Sequence, residues 1–217
     1  VSGLVEEVLA LNLLPAKRPL SAIKAEHLRK KYWSIVQQDI NERSLPKFVL
    51  DKLPLNLAYV PLLNHVFERP KFIVSLRHPL DCILSCYFQD FESNAGMIHT
   101  TDLNDTAAFY AETMGAWLEC KKTMDLNFIY VRYEDLILNK NLELIKVAEF
   151  LGVEQDVESL DNVGLALQRD IVNTPSYRQI SQPIYRNAIN RWKSYTKHLG
   201  NCVKIIAPIA HELGYDI

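Results

Sequence analysis

Residues 71–91 read Lys-Phe-Ile-Val-Ser-Leu-Arg-His-Pro-Leu-Asp-Cys-Ile-Leu-Ser-Cys-Tyr-Phe-Gln-Asp-Phe. The apolar run from Phe72 to Leu76 is short enough to be a buried strand. It ends at Arg77, and Pro79 then suits the first position of a helix. Asp81 falls in the first turn of that helix, where the macrodipole favours a carboxylate. Strand, arginine, tight turn and helix together form the layout of an anion site off the carboxyl end of a parallel strand. Arg77 supplies a planar fork for phosphate or sulfate oxygens, and Ser85, two turns on, adds a hydroxyl. The same residues fit an interior strand ended by a solvated arginine equally well.

The rest of the chain narrows the choice. It has 217 residues, 48% hydrophobic and 23% charged, the balance of a globular domain. A net charge of −2 gives no general reason to bind nucleic acid, so any positive site must be local. No apolar run approaches the about 20 residues of a membrane span, and no signal sequence is visible, so a cytoplasmic location is expected. The cysteines, Cys82, Cys86, Cys120 and Cys202, match neither a zinc knuckle nor a redox pair, and no metal site is expected.

Periodicity predicts helices over residues 4–14, 21–41, 56–67, 102–124, 139–151, 189–199 and 202–213, with Ser21 and Asp102 as caps and Gly152 ending the fifth. Three strands are expected: Phe48–Leu50, Phe72–Leu76 and Phe128–Tyr133. Short apolar strands separated by helices imply parallel pairing in an α/β fold of three layers, αβα around a central sheet. Lys52 follows the first strand as Arg77 follows the second, and Tyr133 ends the third. If the strands are parallel neighbours, two cations and an aromatic ring meet at one sheet edge. That suits a phosphorylated nucleotide. Taken singly, Lys52 also reads as a surface turn lysine and Tyr133 as a core residue.

Six segments, in order, now carry a resemblance across nearly the whole chain. Asp51-Lys52-Leu53-Pro54-Leu55-Asn56 is similar to a DK-x-P-x-N element. Arg77, Pro79, Asp81, Ser85 and Tyr87 match R-x-P-x-D-x-x-x-S-x-Y. Tyr133-Glu134-Asp135-Leu136 and Phe150-Leu151-Gly152 match later landmarks. Thr174 to Ser176, Gln179, Pro183-Ile184-Tyr185 and Arg191-Trp192 with Tyr195 match a C-terminal signature. The chain resembles the sulfotransferases that use 3′-phosphoadenosine 5′-phosphosulfate (PAPS), above all a bacterial branch linked to TPR repeats and similar to the tyrosylprotein sulfotransferases.

The resemblance implies a P-loop NTPase-like sulfotransferase fold in a single domain over residues 1–217. It implies an enzyme that moves a sulfuryl group from PAPS to an acceptor hydroxyl and releases adenosine 3′,5′-bisphosphate. Arg77 and Ser85 would hold the 3′-phosphate, Lys52 the bridging oxygen, and Tyr133 the adenosine end. Ser176 and Gln179 would close over the cofactor. Gln182 stands where related tyrosine enzymes have a lysine, so the phosphate contacts of that loop differ. Glu6 falls in register with the catalytic glutamate, with Glu7 as the alternative. Acceptor contacts are expected from residues 92–101 and 153–175, and protein tyrosine, sugar and small-molecule hydroxyls all remain open. The family's P-R-S-G-T-T phosphosulfate loop has no match, and the register expects it, with its strand, before Val1. The rival readings are a nucleotide-binding or scaffold domain without catalysis and a nucleotide kinase-like enzyme; a kinase also needs a glycine-rich phosphate loop.

Overall fold

The computed structural model describes residues 21–40, 48–89, 91, 97–153 and 188–217. In chain order the regular elements are α1 (Ala22–Ile40), α2 (Val60–Val66), β1 (Lys71–Leu76), α3 (Pro79–Tyr87), α4 (Leu103–Thr123), β2 (Asn127–Arg132), α5 (Tyr133–Leu138), α6 (Lys140–Leu151) and α7 (Gly200–Glu212). Three 3₁₀ segments, Pro54–Tyr59, Met97–Thr101 and Arg191–His198, lie between them. The architecture is α/β, and β1 pairs with β2 in a parallel sheet. The chain divides into two compact units, Val1–Pro70 with Ala116–Asn127, and Lys71–Gly115 with Phe128–Ile217.

In the first unit, Ser21 Oγ accepts the Lys24 N–H at the start of α1, as expected of an N-cap. Ala25, Leu28 and Tyr32, three and four apart, are buried on one helical face. Tyr32, Trp33 and Phe67 pack edge to face, with Tyr32 and Phe67 ring centres 5.0 Å apart. Arg29 Nε donates to Val66 O at 2.9 Å, placing a cation on a carbonyl that α2 leaves open at its C-terminus. The helix expected over residues 56–67 divides into a 3₁₀ segment and α2. Pro61 has no N–H to return to Leu57 O, and the Val60 N–H takes that carbonyl in a tighter turn.

Phe48–Leu50 does not form the expected strand. Leu50 is 79% exposed, and a strand needs a neighbour for its backbone groups and cover for its apolar face. Lys52 accordingly stands on an exposed irregular turn.

In the second unit the expectations hold more closely. Val74 and Leu76 of β1 are buried and Ser75 is exposed, the alternation of a strand with one covered face. Pro79 opens α3 behind His78. Asp102 caps α4, Oδ1 accepting the N–H groups of Asn104 (2.7 Å) and Asp105 (3.1 Å). Gly152 ends α6 at φ 72°, and Lys71 Nζ donates at 2.8 Å to each of the last two carbonyls of α6, Phe150 O and Leu151 O. Leu80, Ile83 and Leu84 of α3 form a core with Ala107 of α4 and with Leu199, Cys202 and Ile206. The residues expected as a helix over 189–199 instead form a 3₁₀ segment entered through Asn190 at φ 59°. The helix predicted over 4–14 lies outside the described residues.

Candidate active site

Arg77 leaves the C-terminal end of β1 and Tyr133 follows the end of β2. Because the two strands are paired, these residues come from neighbouring positions of one sheet. The Arg77 guanidinium carbon lies 5.1 Å from the centre of the Tyr133 ring, a cation–π distance. Nη2 donates to Ala188 O at 2.8 Å. Nε is buried and has no acceptor among the described residues. The fork is therefore anchored at one nitrogen and keeps donors for an anion.

The carboxylate foreseen at the start of α3 has a different task. Asp81 is 1% exposed, and it accepts the backbone N–H groups of Asn190 (2.8 Å) and Trp192 (2.7 Å). These charge-assisted bonds hold Ile189-Asn190-Arg191-Trp192 against α3. They also hold the Ala188 carbonyl where Arg77 uses it. The arginine and the aspartate of the R-x-P-x-D pattern thus grip the same returning segment.

Helix spacing puts Cys82, Ser85 and Cys86 on one side of α3. The Arg77 charge acts on both thiols. Cys86 sits below the ordinary thiol range, chiefly because Cys82 hydrogen-bonds its thiolate. Cys82 is pushed up by the same bond and by burial.

Glu134 was not foreseen as a site residue. Oε1 accepts the His78 N–H at 2.8 Å, and Oε2 accepts the Tyr215 hydroxyl at 3.1 Å. A protein carboxylate thus takes the first open donor of α3, so an anion near Arg77 relies on side chains more than on that helix terminus. His78 also stacks on Trp192, with ring centres 4.9 Å apart at 16°. These residues and Lys193 line a cavity of about 450 Å³. The only sequence sign of Glu134 is its place in the Tyr-Glu-Asp-Leu landmark; Tyr215 carries none.

Among the predicted residues, the structure brings Arg77 and Tyr133 together, and Ser85 is exposed on α3. Lys52 belongs to the first unit. There Asp51 Oδ1 accepts from Asn56 Nδ2 at 3.1 Å and Oδ2 from the Tyr32 hydroxyl at 3.3 Å, so the turn that carries Lys52 is closed on itself and tied to α1. Glu6, Ser176 and Gln179 lie outside the described residues, as do the proposed acceptor segments except residues 97–101 and Val153.

A family model described as "Sulfotransferase family" matches residues 11–157, more than half of the chain. The chain belongs to the sulfotransferase family. It is also similar to a solved sulfotransferase domain from the curacin biosynthetic pathway, with a TM-score of 0.62 over 88% of this chain and 69% of that one. At 18% identity that likeness speaks for the fold alone. An uncharacterized protein of Aquifex aeolicus (strain VF5) is 25% identical over 159 residues, 73% of this chain. The sulfotransferase chain spans 20% of that relative's length. No helix among its described residues is long and apolar enough to cross a membrane.

Proposed function

We propose that this sulfotransferase takes its sulfuryl group from PAPS and transfers it to an acceptor hydroxyl, releasing adenosine 3′,5′-bisphosphate. The observation that carries the reading is the Arg77 fork, anchored on Ala188 O and stacked on Tyr133 at the end of a parallel strand pair. Arg77 and Ser85 hold the 3′-phosphate, Tyr133 the adenosine end, and Ser176 and Gln179 close over the nucleotide. The acceptor oxygen attacks sulfur in line. The bond from sulfur to the bridging oxygen breaks, and the bisphosphate leaves with that electron pair. Lys52 neutralises the charge that grows on the bridging oxygen, and Glu6 takes the hydroxyl proton. The rate then depends on positioning and on charge neutralisation by preorganised groups.

The motif order supports a place beside the TPR-linked bacterial branch, acting in the cytoplasm. Protein tyrosine and sugar hydroxyls are the acceptor classes that fit this branch. The nucleotide part is tested by calorimetric titration of the full-length protein. Adenosine 3′,5′-bisphosphate should bind more tightly than adenosine 5′-monophosphate. Equal affinities would remove the 3′-phosphate site, and the donor with it.

A further inference from the structure

Arg77 and Tyr133 are followed in the chain by His78 and Glu134, and those two residues are bonded to one another. His78 follows Arg77, and its backbone N–H donates to Glu134, which follows Tyr133. One carboxylate therefore joins the end of β1 to the start of α5, one residue beyond each member of the stacked pair. Its second oxygen is taken by Tyr215, in the turn after α7.

That turn is itself held on several sides. Tyr215 is 8% exposed, and its ring lies under the Arg132 guanidinium at 4.4 Å. Arg132 also donates to Leu213 O. Gly214 has φ 74°, and a Cβ there would stand 3.2 Å from the same guanidinium, so the close approach favours glycine. The His78 ring, stacked on Trp192, pairs through Nε2 with Asp216 O at 2.9 Å.

We infer that Glu134 is a positioning residue for the donor nucleotide, and that Tyr215 buttresses it from the turn after α7. Neither side chain is assigned a contact with the nucleotide. They fix the backbone on which Arg77 and Tyr133 stand, and so the spacing between the phosphate fork and the aromatic ring. The inference rests on the PAPS reading above. Residues near 215, outside every sequence motif, thereby govern recognition of the 3′-phosphate.

The test compares the full-length protein with Tyr215→Phe and Glu134→Gln. Dissociation constants for adenosine 3′,5′-bisphosphate and adenosine 5′-monophosphate are measured by calorimetry, and Tm is followed by circular dichroism. Tyr215→Phe keeps the ring and removes one charge-assisted bond. It should weaken the bisphosphate about fivefold and leave the monophosphate within about twofold, so the preference between them falls. Glu134→Gln keeps a carbonyl acceptor for the His78 N–H, and its preference should also fall. A wild type that prefers the bisphosphate, beside variants with the same preference, overturns the inference and leaves the donor reading standing. Equal weakening of both nucleotides with a lowered Tm also overturns it, because the role is then structural. A wild type without preference overturns the donor reading and the inference together.

Discussion

The Arg77 guanidinium carbon lies 5.1 Å from the centre of the Tyr133 ring, with the cation over an aromatic face supplied by the first residue after the neighbouring strand. The ring limits the rotation of the fork, and the bond to Ala188 O fixes its remaining freedom. A guanidinium held in this way would have little ordering left to lose on binding an anion. Asp81 completes the arrangement by clamping the segment that presents Ala188.

Asp81 should accordingly matter for stability before it matters for chemistry. Asp81→Ala strands two backbone N–H groups that are now paired to a buried carboxylate. The cost should be about 3 kcal/mol, read as a lowered urea midpoint with an unchanged slope. Asp81→Asn keeps one acceptor and should lose less. An Asp81→Ala midpoint equal to wild type would show that the 188–192 segment is held by other contacts.

Tyr215 predicts a pH dependence. Burial, then the nearby Glu134 carboxylate, hold its hydroxyl well above the usual tyrosine value of 10.0. The folded state therefore keeps this proton more tightly than the unfolded chain. Its stabilising contribution is fully present below pH about 10 and is lost as pH rises through the higher folded value. Thermal melts from pH 8 to 11 should show a decline at the alkaline end that is shallower in Tyr215→Phe. Parallel curves for the two proteins would contradict the assigned environment.

The proposed role of Lys52 predicts a split between binding and chemistry. A lysine that meets charge only as it develops on the bridging oxygen should lower turnover more than product affinity. In the full-length protein, Lys52→Ala should transfer sulfate ~10²–10³-fold more slowly and still bind adenosine 3′,5′-bisphosphate. Single-turnover transfer at wild-type speed removes Lys52 from the mechanism, and equal losses in rate and affinity make it a ground-state contact.

What could be read in the sequence follows from how local each signal is. The Phe72–Leu76 strand, the Pro79 start, the Asp102 cap and the Gly152 stop depend on a few adjacent residues, and all four are present. The 56–67 helix required weighing Pro61 against apolar spacing, and the proline prevailed locally. Phe48–Leu50 has the composition of a strand, but strand formation depends on a partner and on burial, which three residues do not specify. The meeting of Arg77 and Tyr133 was legible because each follows a strand, and strand pairing brings such positions together. The contacts of Glu134, Trp192 and Tyr215 were not legible, although the first two stand in quoted motifs, since they cross 56, 111 and 81 residues of chain and no periodicity encodes them.

The most direct test of the account is Arg77→Lys, which keeps the charge and removes the bidentate fork. Calorimetry on the folded, full-length variant should show about a tenfold or greater loss of affinity for adenosine 3′,5′-bisphosphate. The affinity for adenosine 5′-monophosphate should stay close to wild type. A wild-type dissociation constant for the bisphosphate in Arg77→Lys would contradict the assignment of Arg77 to the 3′-phosphate, and with it the proposed donor site.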